Sequence, residues 1–388
     1  MKNALILSGG GARAAYQVGV LKAVAELLPE GAPNPFRVIC GTSAGAINAI
    51  TLAAYDGSFA RAVKNLESVW MELTPEQVYR CGWGAMAGSA GRVMLSLVNR
   101  GVGVGKPIAL LDNSPLRDLI KHTINFEKID RAIARGDLDA VCVTATGYQS
   151  GRSVCFYQAK AVTEDWIRYR RSGRRTLLNA DHLMASSAIP TMFPATRIEF
   201  EYFGDGAVRQ LAPLSPALHL GADRLFIVGV SANREQTQSR APAKPTHSPS
   251  MAQIIGHLLN SAFIDSLESD IERLDRINKL VGLLPKESLD EGSNLRYIER
   301  QVISPSEELD MIAADNTASL PSSVRFLLRA TGGTESGAGS TAASYLLFAR
   351  PFVESLITLG YRDAMWQRAD ISQFLGVDES VSAGSVVL

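Results

Sequence analysis

Ala4-Leu5-Ile6-Leu7-Ser8-Gly9-Gly10-Gly11-Ala12-Arg13 and Val38-Ile39-Cys40-Gly41-Thr42-Ser43-Ala44-Gly45 repeat one pattern near the start of the chain. In each, a short apolar run meets a glycine-bearing turn, and a helix-forming segment follows. After the first turn, Tyr16, Val20, Val24 and Leu27 recur at the spacing of a helix face. After the second, the helical pattern runs to about Tyr55, and Pro33 and Pro35 end the connection between the two units. Strand, turn and helix twice in succession predict an α/β fold with a mainly parallel, helix-covered sheet.

Working outward, Val141–Ala145 and Val154–Tyr157 read as strands joined through a hairpin at Gln149-Ser150-Gly151-Arg152. Further strands are expected at Ile198–Phe203, Leu225–Val230 and Tyr297–Ile303. Cys81–Gly105 mixes glycine with Trp83, Met86, Val93, Met94, Leu95 and Leu97, the composition of an apolar flap or of a surface loop with one helix. A long helical pattern starts at Ile254, with Ile255, Leu259, Phe263, Leu267, Ile271, Leu274 and Ile277 on one face. The Gly/Ser/Thr-rich residues 331–343 read as a mobile connection. Tyr345–Phe348, Phe352, Leu356, Ile357, Leu359 and Tyr361 read as a helix docking on the core. The expected organisation is a catalytic core over 1–233, an exposed polar loop over 234–250, and a helical region over 251–388 packing on that core.

The chain has 388 residues, 46% of them hydrophobic and 20% charged, an ordinary globular profile long enough for one large domain with an appendage. Lys+Arg and Asp+Glu both number 39, so there is no basic excess of the kind a nucleic-acid binder carries. Cys40, Cys81, Cys142 and Cys155 form no CxxC pair, which argues against zinc and thioredoxin-type chemistry and for small buried residues in a reducing compartment. The apolar run Ala4–Leu7 is too short for a secretory signal. No window approaches the roughly 18 uninterrupted apolar residues of a membrane span. The expected location is cytoplasmic, with peripheral membrane contact admitted and oligomeric state left open.

Gly41-Thr42-Ser43-Ala44-Gly45 is a GxSxG pattern between strand and helix. The backbone at such a serine turns sharply, and glycines two positions away let the turn close. The helix N-terminus beside it favours developing negative charge. Gly9, Gly10 and Gly11 bring backbone N–H groups together without side chains in the way, which suits an oxyanion hole. Arg13 stands where it could brace that loop or add positive potential. A dinucleotide loop is disfavoured because the third glycine of G-x-G-x-x-G is Ala14. Asp205, in Gly204-Asp205-Gly206-Ala207, reads alone as a turn. Beside a serine nucleophile it reads as a base, since a dry carboxylate has its pKa raised. None of His122, His182, His219, His247 and His257 lies in a glycine-flanked strand-end setting.

These segments, with Ala185-Ser186-Ser187-Ala188-Ile189-Pro190 and Phe193-Pro194, resemble the signatures of the patatin-like phospholipases in the family's order. The chain departs from many bacterial members at Ala14 and Ala207, where they carry glycine. The resemblance implies a three-layer α/β/α fold with additional C-terminal helices. It implies a Ser43–Asp205 dyad without histidine, an oxyanion loop at Gly9–Gly11, a nucleophile elbow with Gly41 and Gly45, and a fatty-acyl ester lipid as substrate. It calls for no metal and no cofactor. Three other readings stand beside it: an α/β-hydrolase triad, for which Ser43 comes too early; an acyltransferase using the same dyad; and a non-catalytic lipid-binding module. The arginine run Arg168–Arg175 suits phosphate head groups near the site mouth, a solvated basic face or structural ion pairs.

Overall fold

Four of the strands are apolar at nearly every position, and burial on both faces explains why. A computed structural model describes residues 1–84, 88, 91, 107, 109–160, 162–232, 251–285, 295–330 and 338–377. The expected polar loop 234–250, His247, Met86, Val93, Met94, Leu95 and Leu97 lie outside the described residues, as do the side chains of Ile255 and Leu259. The strands are β1 (Asn3–Leu7), β2 (Val38–Thr42), β3 (Ala140–Gly147), β4 (Ser153–Ala159), β5 (Trp166–Arg168), β6 (Arg171–Arg175), β7 (Thr196–Ile198), β8 (Glu201–Asp205), β9 (Arg224–Val228) and β10 (Glu299–Ile303). They form one sheet in the order β10-β9-β1-β2-β3-β4-β6-β5, with β8 on β3 and β7 on β8. From β10 to β3 every pairing is parallel.

Side chains alternate between two cores, as the period of a strand requires. Leu5, Leu7, Ile39, Val141, Val143, Phe226 and Val228 face one core. Ala4, Ile6, Val38, Cys40, Cys142, Leu225 and Ile227 face the other. The first core is covered by α1 (Ala15–Leu27), α2 (Ala44–Ala53), α3 (Phe59–Glu72) and the helix Arg350–Trp366. The second is covered by Ser215–His219 and by Ser266–Leu283, through Ala217, Leu267, Ile271 and Leu274. The result is a three-layer α/β/α architecture. Tyr16, Val20, Val24 and Leu27 all lie buried on α1. No described helix is long and apolar enough to cross a membrane.

One detail of register decides where the site forms. β3 pairs with β4 on one side through Ala140–Thr146. On its other side it pairs with β2 as far as Thr144, opposite Thr42. Beyond that point, Ala145–Gly147 pair with β8, with Ala145 opposite Asp205. β8 therefore takes the lane in which β2 has just ended.

Several expectations change. Ile198–Phe203 is not one strand: Glu199 takes a left-handed φ of 52°, and β7 and β8 fold back as a hairpin around Glu199-Phe200, with Phe200 94% exposed. The arginine run forms the edge hairpin β5–β6, turning at Tyr169-Arg170. Gly173 there makes room for the Trp166 ring, which a Cβ would meet at 2.2 Å. Of the Gly/Ser/Thr-rich stretch, 331–337 lie outside the described residues, and Ala338–Leu346 is a helix whose Ala343, Ser344 and Tyr345 are buried. The long helical pattern from Ile254 is interrupted by a π-turn at Ser261–Asp265. That turn rotates the face, so Phe263 joins the first core, Leu267, Ile271 and Leu274 join the second, and Ile277 is left 38% exposed.

Candidate active site

Ser43 leaves β2 with φ 55° and ψ −129°, immediately before α2. A non-glycine residue at positive φ is strained and persists only where its surroundings hold it. Here they do. A Cβ on Gly41 would lie 2.4 Å from Ala46 Cα, and one on Gly45 would lie 2.4 Å from the Ser8 carbonyl oxygen. Glycine at both positions lets the turn pack flat against its own helix and against β1. The Ser43 N–H donates to Ser186 Oγ at 2.8 Å, and the Ser186 hydroxyl donates onward to the Thr144 carbonyl at 2.6 Å.

Because β8 fills the lane above β2, Asp205 arrives directly over the serine. Ser43 Oγ donates to Asp205 Oδ2 at 2.6 Å. Asp205 Oδ1 accepts the Ala207 N–H at 3.0 Å, a contact that alanine makes as well as glycine would. The Asp205 N–H donates to the Ala188 carbonyl at 2.9 Å. The carboxyl group has no exposed surface. Burial pushes its pKa up to about 7, against the opposing pull of the hydrogen bonds from Ser43 and the Ala207 N–H. A carboxylate in that range can accept a proton from a hydroxyl and give it back.

The Gly9–Gly11 turn ends the neighbouring strand β1, so it lies at the same carboxyl edge of the sheet. A Cβ on Gly9 would stand 3.1 Å from Ser43 Cβ, which measures how closely the loop approaches. Gly11 has φ +57°, and a Cβ there would lie 2.3 Å from the Tyr345 carbonyl oxygen. No acceptor among the described residues takes the N–H groups of Gly9, Gly10 or Gly11. Arg13 is buried and braces the loop. Its Nε donates to Ser344 Oγ at 2.7 Å, its guanidinium pairs with Asp310, and it lies 4.2 Å over the Tyr345 ring.

Ser43 and Gly11 open onto a narrow cavity of about 60 Å³. Its wall is apolar: Ile47, Leu66, Val69, Trp70, Leu116, Ile120, Phe193 and Phe348. The described histidines are elsewhere. His182 caps its own helix and packs on Phe156, His219 stacks on Trp166, and His122 and His257 are exposed. Among the described residues, no group of three or more His, Cys, Asp or Glu could hold a metal ion. The arginine hairpin sits at the sheet edge, separated from β2 by β3 and β4, and its Arg174 pairs with Glu199.

Sequence reasoning missed the supports. Ser186 was visible only as part of the Ala185–Pro190 signature. Gln210 links Thr42 and Thr144, accepting from Thr42 Oγ1 at 2.7 Å and donating to Thr144 Oγ1 at 3.3 Å. Beneath the glycine loop, Trp70 Nε1 donates to Asn48 Oδ1, Asn48 to Gln17 Oε1, and Gln17 to the Ser8 carbonyl. Polar residues within apolar helices, such as Gln17 and Asn48, were the available signal.

Residues 5–218 match the family model described as patatin-like phospholipase. The cGAMP-activated phospholipase of Escherichia coli (strain TW11681) is 27% identical over 213 residues, 53% of this chain and 51% of that protein. The chain thus spans about half the length of that curated relative. Among solved structures, VipD from Legionella pneumophila aligns over 98% of this chain and 89% of that chain, at 12% identity and a TM-score of 0.29.

Proposed function

The chain belongs to the patatin-like phospholipase family, and on that footing we propose that it is a lipid acyl hydrolase working through a Ser43–Asp205 dyad. The observation that carries this reading is the 2.6 Å hydrogen bond from Ser43 Oγ to a fully buried Asp205, at the head of an apolar cavity. Ionised Asp205 takes the Ser43 proton as Oγ attacks the ester carbonyl carbon. The N–H groups of Gly9, Gly10 and Gly11 receive the charge that grows on the carbonyl oxygen. The tetrahedral intermediate collapses, the C–O bond to the alcohol breaks, and the alcohol leaves with the proton Asp205 held. Water, activated by Asp205, then releases the acid from Ser43. The fatty-acyl chain enters at the apolar cavity, whose wall accepts hydrocarbon more readily than polar groups. Arg13 acts on the chemistry through the loop it braces.

The test is hydrolysis of a panel of p-nitrophenyl esters and phospholipids by wild type, Ser43→Ala and Asp205→Asn. Both variants should lose at least ~10³-fold in kcat/KM while keeping their fold. A fluorophosphonate should label Ser43 in the wild type. Full activity in Asp205→Asn, or labelling of a different serine, would overturn the dyad.

A further inference from the structure

The cavity wall carries several polar side chains, and most are already engaged. Thr51 Oγ1 donates to the Ile47 carbonyl at 2.8 Å, Trp70 Nε1 to Asn48 Oδ1 at 2.8 Å, and Tyr345 Oη to Asn260 Oδ1 at 3.1 Å. Ser187 differs. It lines the same cavity, is 7% exposed, and its buried Oγ has no hydrogen-bond partner among the described residues. A hydroxyl buried in that way weakens a fold.

Its place is fixed from both sides. Ser186 Oγ accepts the Ser43 N–H, and the Ala188 carbonyl accepts the Asp205 N–H. Ser187 stands between these two anchors, with its own N–H donating to the Leu183 carbonyl at 3.0 Å. The backbone is thus pinned between contacts to the two reacting residues, while the hydroxyl is left without a partner among the described residues. An ester brings two oxygens there. The carbonyl oxygen meets the glycine N–H groups, and until Asp205 has taken the Ser43 proton the alkoxy oxygen lacks a donor.

We propose that Ser187 is a substrate-contacting residue whose hydroxyl donates a hydrogen bond to the alkoxy oxygen of the scissile ester. The proposal rests on the acyl-hydrolase reading above. The Ser43 Oγ–carbon bond forms and the carbon–alkoxy bond breaks. The proton that Asp205 took from Ser43 goes to the departing alkoxy oxygen, and Ser187 keeps its own proton throughout. Its hydrogen bond strengthens as negative charge accumulates on that oxygen, so it favours the transition state over the bound ester.

The help matters most for poor leaving groups. Wild type and Ser187→Ala should be compared on two esters of the same acyl chain: an alkyl ester, which expels a basic alkoxide, and a p-nitrophenyl ester, which expels a stable phenolate. The ratio of kcat/KM for alkyl over p-nitrophenyl ester should fall about tenfold or more in Ser187→Ala. The loss should appear mainly in kcat, and the melting temperature should hold or rise because an unpartnered hydroxyl has been removed. An equal loss on both esters means a merely structural role and overturns the proposal, as does an unchanged ratio. The two readings separate cleanly. A Ser43 that a fluorophosphonate labels, with an unchanged ester ratio, sinks the Ser187 assignment alone. An unlabelled Ser43, with no turnover of either ester, sinks the hydrolase reading and this proposal with it.

Discussion

Asp205 carries two opposing pH dependences, both set by its burial. Its pKa is raised to about 7 by desolvation, and only the ionised form can take the Ser43 proton. The kcat/KM for a neutral ester should therefore rise as pH passes through about 7 and level off above it. A profile flat from pH 5 to 9 would remove Asp205 as the base. Stability runs the other way. The folded pKa lies above the unfolded value of about 3.9, so the folded state binds this proton more tightly. The stabilisation is fully present below about pH 4 and is lost as pH rises through about 7. Asp205→Asn, which cannot ionise, should gain in melting temperature relative to wild type between pH 5 and pH 8. Thermal melts that show a constant difference would contradict this.

At the scale of elements, two contacts hold the site in register. The end of the helix Ala180–Ser186 and the turn after it touch both chemical groups, through Ser186 to the Ser43 N–H and through the Ala188 carbonyl to the Asp205 N–H. Ser186→Ala would leave the Ser43 N–H buried without its acceptor. It should cost about 1–3 kcal/mol of stability, read as a shift in denaturant midpoint, with kcat falling more than KM rises. The second contact is the crossing of α1 with the helix Arg350–Trp366. A Cβ on Gly19 would lie 2.0 Å from the Ile357 carbonyl oxygen, and one on Gly360 would lie 2.1 Å from the Tyr16 carbonyl oxygen. The two backbones meet through reciprocal glycines, and Tyr16 Oη donates to Asp363 at 3.0 Å beside them. Gly360→Ala must push the helices apart and should destabilise the protein by about 1–3 kcal/mol. An unchanged urea midpoint would show that the crossing yields without cost.

Across the whole molecule, the chain beyond residue 250 is structurally inseparable from the site. It supplies β10 at the edge of the sheet, Phe263 against Gly9, Tyr345 against Gly11, and Asp310 and Ser344 to hold Arg13. It also supplies Phe352, Val353 and Leu356 to the first core. A chain ending at residue 232 would expose β9, leave Arg13 buried among fewer partners and uncover α1. It should fail to give a cooperative melt, and its Ser43 should not be labelled by a fluorophosphonate. Labelling at the full-length rate would show that the first 232 residues make the site alone.

The strand–turn–helix units at Ala4–Arg13 and Val38–Gly45 are local instructions. Continuous apolar runs, glycines at turns and a helical period act on near neighbours, so they were legible without coordinates, and with them the parallel sheet and the positions of Ser43 and the glycine loop. The pairing of Ser43 with Asp205 was inferred from resemblance. Only the register of β3, which exchanges β2 for β8 after Thr144, brings the two together in space. The β5–β6 and β7–β8 hairpins, the turned face at Phe263 and the docking of Ala338–Leu346 were not legible. Arginines, a left-handed Glu199 and small residues carry no apolar period, and their structure is dictated by distant surfaces. Ser187 was on the page as a letter in a signature. That its hydroxyl is buried and, among the described residues, unpartnered in a residue of the cavity wall is a fact about its surroundings, which a linear sequence does not contain.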